Sequence, residues 1–404
     1  MTRLGLTLAI AAAVLLSACG GGSSPAGSGT PVPQQTGGGT PPPANGLTVP
    51  SGLTISVVAN VSGARELTFA PNGDLFVGTS SSQVYIVPNA DGASGAGTPK
   101  VFADLGDSPA AGVALDTSAQ NSALYVGTQF GVYRIPYTLG DQTAQSPPVK
   151  IASVRPGGSG DHSTTSVAVA GSTVYASVGS SCDACTETDP TRATVQQMGL
   201  SGSSMTPKAV HIRNAIALAI NPNTGTLWAG GAGQDTLPEG HPYEYFDALS
   251  LHAGVADYGW PDCEENRIAY TQGANCSNTV IPRVEFPAYQ TIIGAAFYPA
   301  SPIGEYHLPQ QYAGGAFVAM HGSWHAQNGV PVAPPRIAFV PMNGDSPPIA
   351  VNWSDPTKQW SDFVSGFQHS DGSRIGRPTG IAVGPQGDLF IADDQTGNIY
   401  RIRP

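Results

Sequence analysis

Three loop segments of this 404-residue chain carry side chains that could do chemistry. They are residues 157–165 (GGSGDHSTT), 211–214 (HIRN) and 320–325 (MHGSWH). A neutral imidazole such as that of His162 can act as a general base, and a guanidinium such as that of Arg213 can stabilise developing negative charge. A single loop histidine is more often a surface group, and a single arginine is often part of a structural salt bridge. The surrounding elements therefore decide whether these residues meet.

A strand–turn–strand pattern recurs six times and predicts the fold. Each copy is an apolar segment, a turn rich in Pro, Gly or Asn, and a second apolar segment, as in a pair of antiparallel strands. Six copies over about 350 residues predict an all-β, six-bladed β-propeller, with a two-sheet sandwich as the alternative. The three loop segments adjoin the repeats at comparable points, so a propeller would bring them around one axis. The copies are LTFAPNGDLFVGT (67–79), VALDTSAQNSALYVGT (113–128), VAVAGSTVYASVGS (167–180), IALAINPNTGTLWAGG (216–231), AAFYPAS…AGGAFVAMHG (295–322) and IAVGPQGDLFIADD (381–394).

The composition excludes several classes of protein. The chain has 17 Lys and Arg against 28 Asp and Glu, a net charge of −11, which argues against nucleic-acid binding. Its 51 glycines, 36 prolines and 11% charged residues disfavour a mainly helical fold. At 40% hydrophobic residues the chain has enough apolar material for a large core, so it is not globally disordered.

The N-terminus has the features of an export signal. Residues 1–18 combine a positive charge with an apolar run too short to span a bilayer comfortably. The run ends Leu-Ser-Ala-Cys, which resembles a bacterial lipobox with Cys19 as the lipidated residue; an ordinary secretory signal is the alternative. Because Gly20 follows Cys19 where Asp would favour the inner membrane, we expect a lipid-anchored, periplasm-facing protein of the outer membrane.

The segment that follows the signal differs in composition from the rest of the chain. Residues 19–48 are rich in Gly and Pro and contain no charged residue, which predicts a disordered linker. The repeats begin after it, so residues 49–404 are predicted to form the propeller domain. The lipid anchor would be its only contact with the membrane.

Four cysteines remain after Cys19, namely Cys182, Cys185, Cys263 and Cys276. An even count in an oxidising compartment predicts two disulfides. The simplest pairing is local, 182–185 and 263–276, although three connectivities are possible. A haem or redox site at 182–185 is the alternative, but Thr186 stands where haem attachment requires His, and zinc would need a second matching pair.

Longer segments around these residues resemble the glucose/sorbosone dehydrogenase family, most closely its L-sorbosone dehydrogenase branch, over about residues 50–403. The resemblance rests on HSTTSVAVAGSTVYASVGSSCDAC, IRNAIALAINPNTGTLWAGGAGQD, DYGWP (257–261), AFVAMHGSWH (316–325) and GRPTGIAVGPQGDLFIADD (376–394). Members are six-bladed propellers that use pyrroloquinoline quinone (PQQ) with calcium. The resemblance implies hydride transfer to the quinone from an aldose or sugar aldehyde, with electrons passing to a periplasmic acceptor or the quinone pool.

The resemblance also implies roles for individual residues. His162 matches the catalytic base, and Arg213 matches the arginine that lies against the quinone. Calcium would act as a Lewis acid on the quinone carbonyl. The implied cofactor contacts are Arg213, Asn214, His321, Arg374 and Arg377, and the implied calcium ligands are the backbone carbonyls of Gly233 and Gln234.

Some positions depart from the family pattern and keep other functions open. Ser180 stands where the glucose enzymes have the Asp that supports the catalytic histidine, and Thr165 replaces a common Arg. Tyr289 stands where the branch often has His, and residues 107–109 replace a Gln-Asn-Gly-type loop. A non-catalytic propeller that binds a glycan or a partner protein is therefore the main alternative. A lactone hydrolase would need an acidic metal cage of Glu, Asn and Asp, which the sequence does not reveal.

Overall fold

The computed structural model describes residue 44 and residues 46–93, 95–117 and 122–404. These residues form six sheets with four antiparallel strands each, the blades of a β-propeller; one sheet gains a short fifth strand, and no α-helix occurs among the described residues. The first strand, β1 (Thr54–Asn60), belongs to the last blade. Blade 1 contains β2 (Ala64–Phe69), β3 (Leu75–Thr79), β4 (Gln83–Val87) and β5 (Lys100–Asp104). Blade 2 contains β6 (Gly112–Asp116), β7 (Ala123–Gly127), β8 (Gly131–Pro136) and β9 (Val149–Ser153). Blade 3 contains β10 (Val167–Ala170), β11 (Thr173–Val178), β12 (Thr194–Gly199) and β13 (Thr206–Val210).

Blades 4 to 6 carry the longer insertions. Blade 4 contains β14 (Ala217–Ile220), β15 (Leu227–Gly231), β16 (Glu244–Asp247) and β20 (Val284–Phe286). Its insertion contributes β17 (Ala256–Asp257), parallel to β13, and the hairpin of β18 (Cys263–Glu264) and β19 (Ile268–Ala269). Blade 5 contains β21 (Ile292–Phe297), β22 (Ala316–Met320), β25 (Arg336–Val340) and β26 (Ser361–Val364), with a hairpin of β23 (Ala326–Gln327) and β24 (Val330–Pro331). Blade 6 contains β27 (Pro378–Val383), β28 (Leu389–Asp393), β29 (Asn398–Arg403) and β1.

The first strand of blades 1 to 5 and β27 of blade 6 line the propeller axis, each against its two neighbours. Glycine makes this close approach possible. A Cβ on Gly294 of β21 would lie 2.0 Å from the carbonyl oxygen of Thr379 in β27. A Cβ on Gly380 of β27 would lie 2.3 Å from the carbonyl oxygen of Arg65 in β2. The six inner strands therefore meet backbone to backbone.

Six apolar clusters hold the blades together, one in each interface between neighbouring blades. Between blades 5 and 6, for example, Phe317, Phe363 and Ile337 pack with Leu389 and Ile402. Burial of such side chains stabilises a fold by roughly 1.5–3 kcal/mol each. The core of this protein is thus a ring of sheet-on-sheet contacts.

Pairing of β1 with β29 closes the ring, with Thr54 opposite Arg403 and Asn60 opposite Asn398. Just before it, Thr48 exchanges two backbone hydrogen bonds with Ser365 (2.9 and 3.1 Å). A strand from the start of the domain therefore completes the blade formed by its end.

No helix in the described part of the chain is long and apolar enough to cross a membrane.

The predicted six-bladed propeller is confirmed, and every repeat corresponds to the first two strands of one blade. Both disulfides of the local pairing are present, Cys182–Cys185 and Cys263–Cys276. The predicted signal peptide, Cys19 and most of the predicted linker lie outside the described residues.

Candidate active site

The residues singled out in the sequence lie at one face of the propeller. In each blade the first strand begins, and the second strand ends, at that face. His162 precedes β10, Arg213 and Asn214 precede β14, and Arg377 directly precedes β27. His321 directly follows β22. The repeat thus delivers these side chains to the same side of the ring.

A cavity of about 180 Å³ opens at this face, and we call it the His162 cavity. Its walls come from the loops of blades 3, 4 and 5. It contains five of the predicted site residues together with acidic and aromatic side chains that had no predicted role. The lining residues are His162, Arg213, Asn214, Ala232, Gly233, Gln234, Asp235, Pro242, Glu244, Tyr289, Thr291, Ser323, Trp324 and His325.

His162 is held in one tautomer. Its Nδ1 lies 2.9 Å from Ser180 Oγ and 3.2 Å from the Ser180 carbonyl oxygen. Ser180 Oγ donates its only proton to the carbonyl oxygen of Cys182, at 2.6 Å, so both partners of Nδ1 are acceptors. Nδ1 therefore carries the proton and Nε2 keeps its lone pair. Burial, reinforced by the charge of Arg213, lowers the pKa of His162 to about 3, so the imidazole is neutral at physiological pH.

Arg213 is buried and ion-paired with two carboxylates. Its Nη2 lies 2.9 Å from Asp183 Oδ1 and 2.7 Å from Asp235 Oδ2, and its Nε donates to the Asp183 carbonyl oxygen at 3.2 Å. Burial opposes ionisation of Asp183, but hydrogen bonds from Asp235 N, Thr236 and Arg213 outweigh it and lower the pKa of Asp183. Within the described residues no hydrogen bond engages Arg213 Nη1, so this donor is available to an anion in the cavity.

The loop that follows β15 brings backbone carbonyl oxygens to the cavity. Gly233 and Gln234 follow β15, and their carbonyl oxygens accept no hydrogen bond from the part of the chain that is described. Gly233 is required here because a Cβ would lie 2.2 Å from Pro242 Cγ. The Gln234 side chain points away, donating to the Pro261 carbonyl oxygen (2.8 Å) and to Glu264 Oε1 (3.0 Å). Free backbone carbonyls suit a hard cation such as calcium.

Glu244 adds a buried carboxyl group to the cavity wall. Its Oε2 accepts a hydrogen bond from Ile292 N at 3.0 Å. Burial outweighs the backbone hydrogen bonds and raises the pKa of Glu244 to about 8, so this group is neutral at pH 7. Asp235 is the other carboxyl group in the cavity lining, and its ion pair with Arg213 offsets its negative charge.

Stacked aromatic rings form another wall. The Trp324 indole lies on the His325 imidazole (centroids 4.0 Å apart), and His325 lies 4.3 Å from the Tyr289 ring. His325 Nε2 is 3.0 Å from the Asp235 carbonyl oxygen, which ties this wall to the Arg213 side of the cavity. Trp324 is 70% exposed, so its outer face is available to a ligand.

The remaining predicted residues, His321, Arg374 and Arg377, lie in a separate group together with Asp394 and Arg65, and we call these five residues the arginine cluster. None of the five lines the His162 cavity. Arg377 donates to the carbonyl oxygens of His321 and Gly322 (both 3.1 Å), and Arg374 donates to that of Ser323. His321 Nε2 is 3.0 Å from Asp394 Oδ1, and Arg65 lies 2.8 Å from Asp394 Oδ2. These arginines support the loop that carries Ser323 and Trp324.

The structure thus brings together His162, Arg213, Asn214, Gly233 and Gln234, and it places His321, Arg374 and Arg377 beside them. Sequence reasoning missed Asp183, Asp235 and Glu244. Asp183 lies between two paired cysteines and Asp235 directly follows Gln234, so proximity to predicted residues was the available signal. Glu244 lies in β16 and gave no signal.

The donor set fits PQQ with calcium. PQQ is planar and carries three carboxylates, so it requires a cation, flat partners and few competing negative charges. Arg213 Nη1, the aromatic wall and the neutral Glu244 meet these needs, and the carbonyl oxygens of Gly233 and Gln234 suit the metal. The arginine cluster would reach such a cofactor through the loop that it supports.

Comparison with known proteins finds a family described as TrAA12-like, which matches residues 262–404. A curated, uncharacterised protein of Borreliella burgdorferi is 23% identical over 198 residues, 48% of each chain. The chain therefore spans about half the length of this curated relative.

Several solved structures share the fold. The PQQ domain of a pyranose dehydrogenase from Coprinopsis cinerea is 16% identical, with a TM-score of 0.72 over 90% of this chain and 98% of that one. A calcium structure of a Trichoderma reesei protein of carbohydrate-active enzyme family AA12 is 18% identical, with a TM-score of 0.70 over 89% and 97%. The soluble aldose sugar dehydrogenase of Escherichia coli is 15% identical, with a TM-score of 0.61 over 87% and 99%. At these identities the likeness establishes the fold.

Proposed function

We propose that this protein is a PQQ-dependent sugar dehydrogenase that oxidises an aldose or a sugar aldehyde. The observation that carries the proposal is the neutral His162, which lines a cavity together with Arg213. Among the described residues its Nε2 has no hydrogen-bond partner, and the carbonyl oxygens of Gly233 and Gln234 in the same lining accept no hydrogen bond. The TrAA12-like match and the pyranose and aldose sugar dehydrogenases among the structural neighbours support it. An L-sorbosone-type substrate is the finer form of the proposal, and it rests on the sequence resemblance.

Each residue has a defined task. PQQ, when bound, supplies a two-electron acceptor for hydride, and calcium supplies a Lewis acid beside it. His162 Nε2 accepts the proton of the sugar hydroxyl, and Ser180 keeps the imidazole in the required tautomer. Arg213 Nη1 would hold a cofactor oxygen, while Asp183 and Asp235 fix the plane of the guanidinium. Asn214, His321, Arg374 and Arg377 stay assigned to the cofactor, the last three by supporting the cavity wall.

The test is reconstitution of the purified chain with PQQ and calcium. We expect a change in the visible spectrum of PQQ with saturable binding, followed by sugar-dependent bleaching of an artificial electron-acceptor dye. Calcium omission should abolish or strongly weaken the response. Absence of PQQ binding under these conditions would overturn the proposal.

A glycan-binding propeller without turnover is the second candidate, favoured by the exposed Trp324 indole at the cavity mouth. An exposed aromatic face packs well against the apolar face of a pyranose ring. Isothermal titration with sugars in the absence of PQQ separates the two. Tight sugar binding that survives His162→Ala, without dye bleaching, would favour the binder.

We further propose that the protein is a lipoprotein anchored through Cys19 and facing the periplasm, where a periplasmic acceptor or the quinone pool would reoxidise it. The lipobox-like Leu-Ser-Ala-Cys and the even number of other cysteines support this location. The wild type should sediment with membranes and Cys19→Ala should be released. A wild type found wholly in the soluble periplasmic fraction would contradict the anchor.

A further inference from the structure

The Cys182–Cys185 disulfide lies in the loop between β11 and β12, directly beside the His162 cavity. It closes a ring of four residues whose second member is Asp183. Its cysteines are partly buried, and nothing in the proposed reaction uses their sulfur atoms. The contacts made by this ring, which we call the disulfide ring, give it a different task.

Two consecutive carbonyl groups connect the disulfide ring to the two central residues of the site, one through the Ser180 hydroxyl and the other directly. The carbonyl oxygen of Cys182 accepts the Ser180 hydroxyl at 2.6 Å, and that hydroxyl in turn accepts His162 Nδ1–H at 2.9 Å. The carbonyl oxygen of Asp183 accepts Arg213 Nε at 3.2 Å. The ring is thus the common end point of the hydrogen-bond chains from both His162 and Arg213.

The Asp183 side chain extends this network across the blade interface. Its Oδ1 accepts Arg213 Nη2 (2.9 Å) and Asp235 N (2.8 Å), and its Oδ2 accepts Thr236 Oγ1 (2.8 Å). The carbonyl oxygen of the same residue also accepts Trp260 Nε1, at 3.0 Å. Five hydrogen bonds therefore converge on one residue, and the disulfide restricts the conformations open to it.

We propose that the disulfide ring is a positioning device that replaces the missing carboxylate behind His162 and at the same time fixes the plane of Arg213. A hydroxyl whose proton is committed to a main-chain carbonyl can only accept from the histidine, so it selects the tautomer without adding charge. That chain holds only as long as the Cys182 carbonyl stays in place. The role of His162 as base rests on the proposed function, whereas the effect of the ring on His162 does not.

The first test measures His162 in the apoprotein, by NMR titration of histidine side chains with the His162 signal identified by its loss in His162→Gln. In the wild type this histidine should stay neutral down to about pH 4. In the Cys182→Ser/Cys185→Ser variant, water should reach the imidazole and its proton affinity should rise at least tenfold. The charged groups that act on the His162 imidazole, namely Arg213, Arg155 and Asp183, are present in both proteins.

The matched control is Cys263→Ser/Cys276→Ser. This variant lacks the other disulfide, which closes a longer loop, so its loss of thermal stability should be the larger of the two. A purely structural role of the disulfide ring would leave the His162 titration unchanged in both variants. We expect the titration to move only when the disulfide ring is opened.

A second arm covers the case in which Cys182→Ser/Cys185→Ser fails to fold. In the folded Cys263→Ser/Cys276→Ser protein only the disulfide ring remains to be reduced. A dithiol reductant supplies two electrons and two protons, the S–S bond breaks to two thiols, and the reductant closes to its own disulfide. The His162 titration should shift on reduction and return on reoxidation, with mass spectrometry of alkylated thiols reporting the redox state.

PQQ binding provides the readout for Arg213. Opening the disulfide ring should weaken PQQ binding at least tenfold. Asp183→Asn keeps the disulfide and the carbonyl oxygens, so it should weaken PQQ binding less, and it should not raise the proton affinity of His162, because the Asp183 carboxylate itself favours the protonated imidazole. If no variant binds PQQ, the proposed function fails while the histidine titration still tests the ring. An unshifted His162 in the opened, folded protein would overturn the inference.

Discussion

His162 and His321 are two histidines of similar electrostatics and different use. Burial lowers the pKa of His162 to about 3 and that of His321 to about 4. The two lie at the same face of the propeller, His162 before β10 and His321 directly after β22. His162 lines the cavity, and its Nδ1 contacts a hydroxyl and a carbonyl. His321 lies outside the cavity lining, with Nε2 held by the Asp394 carboxylate. Access and uncommitted hydrogen-bonding capacity, more than a depressed pKa, distinguish a candidate base from a structural histidine.

The same contrast separates the arginines. Arg213 faces carboxylates that leave Nη1 open to the cavity, whereas Arg374 and Arg377 donate to carbonyl oxygens of the loop at 321–323. The His162 cavity presents side chains to a ligand, whereas the arginine cluster supports one wall of that cavity. Substitutions in the two regions should therefore affect different quantities.

The largest effect should come from His162→Ala. Turnover should fall by roughly 10²–10⁴, the usual contribution of a positioned general base, while PQQ affinity stays nearly unchanged. The matched substitution His321→Ala should lower turnover less than tenfold. Both are measured by dye reduction at saturating sugar and PQQ. Equal losses in the two variants would erase the distinction drawn between the histidines.

The pH dependence of the rate provides a second test of the role of His162. Because the pKa of His162 lies near 3, the imidazole is in its basic form at every pH above about 4, so the wild-type rate should show no acid limb near pH 6.5. His162→Ala should flatten whatever limb remains at lower pH. An acid limb centred near pH 6.5 that disappears in His162→Ala would show that His162 is not held neutral by its surroundings.

Arg213→Ala should have the next largest effect. The loss of one charge-assisted hydrogen bond, about 1.5–3 kcal/mol, corresponds to a 10- to 100-fold weaker affinity for PQQ. Arg213→Lys should recover little, because one ammonium nitrogen cannot replace three guanidinium nitrogens: Nε on the Asp183 carbonyl oxygen, Nη2 on the two carboxylates, and Nη1 for the cofactor. Arg377→Lys in the arginine cluster should change PQQ affinity less. Equilibrium dialysis of the three variants gives the comparison, and full recovery in Arg213→Lys would contradict the argument from the three guanidinium nitrogens.

The fold was accessible from the sequence because each blade repeats a strand–turn–strand signal. Closure by β1 was not, since Thr54 and Arg403 are far apart in the chain and no local pattern marks their pairing. The grouping of His162, Arg213 and Asn214 followed from the position of their loops relative to the repeats, and their roles followed from the resemblance. The partners of Arg374 and Arg377 could not be predicted, because backbone carbonyl groups carry no sequence signature.

A smaller effect is expected from Glu244→Gln. Since the pKa of Glu244 is raised to about 8, the carboxyl group is neutral below that pH and ionises above it. A negative charge in the cavity repels an anionic cofactor, so wild-type PQQ affinity should decline a few-fold as pH rises through about 8. Glu244→Gln should remove this decline and match the wild type near pH 6. Tighter binding by the variant at pH 6 would mean that Glu244 is already ionised there.

The smallest effect on turnover should come from Asp394→Asn, whose cost falls on stability instead. Burial opposes ionisation of Asp394, but His321, Arg65 and Arg377 outweigh it and lower the pKa to about 2 from 3.8. A carboxylate with a depressed folded-state pKa contributes stability above its unfolded pKa, here roughly 2 kcal/mol, and loses that contribution as pH falls from about 4 to 2. Urea unfolding should show wild type and variant far apart at pH 7 and converging toward pH 2. If Asp394→Asn instead abolished PQQ binding at pH 7 while remaining folded, the arginine cluster would be part of the ligand site, and the division between the two regions would fail.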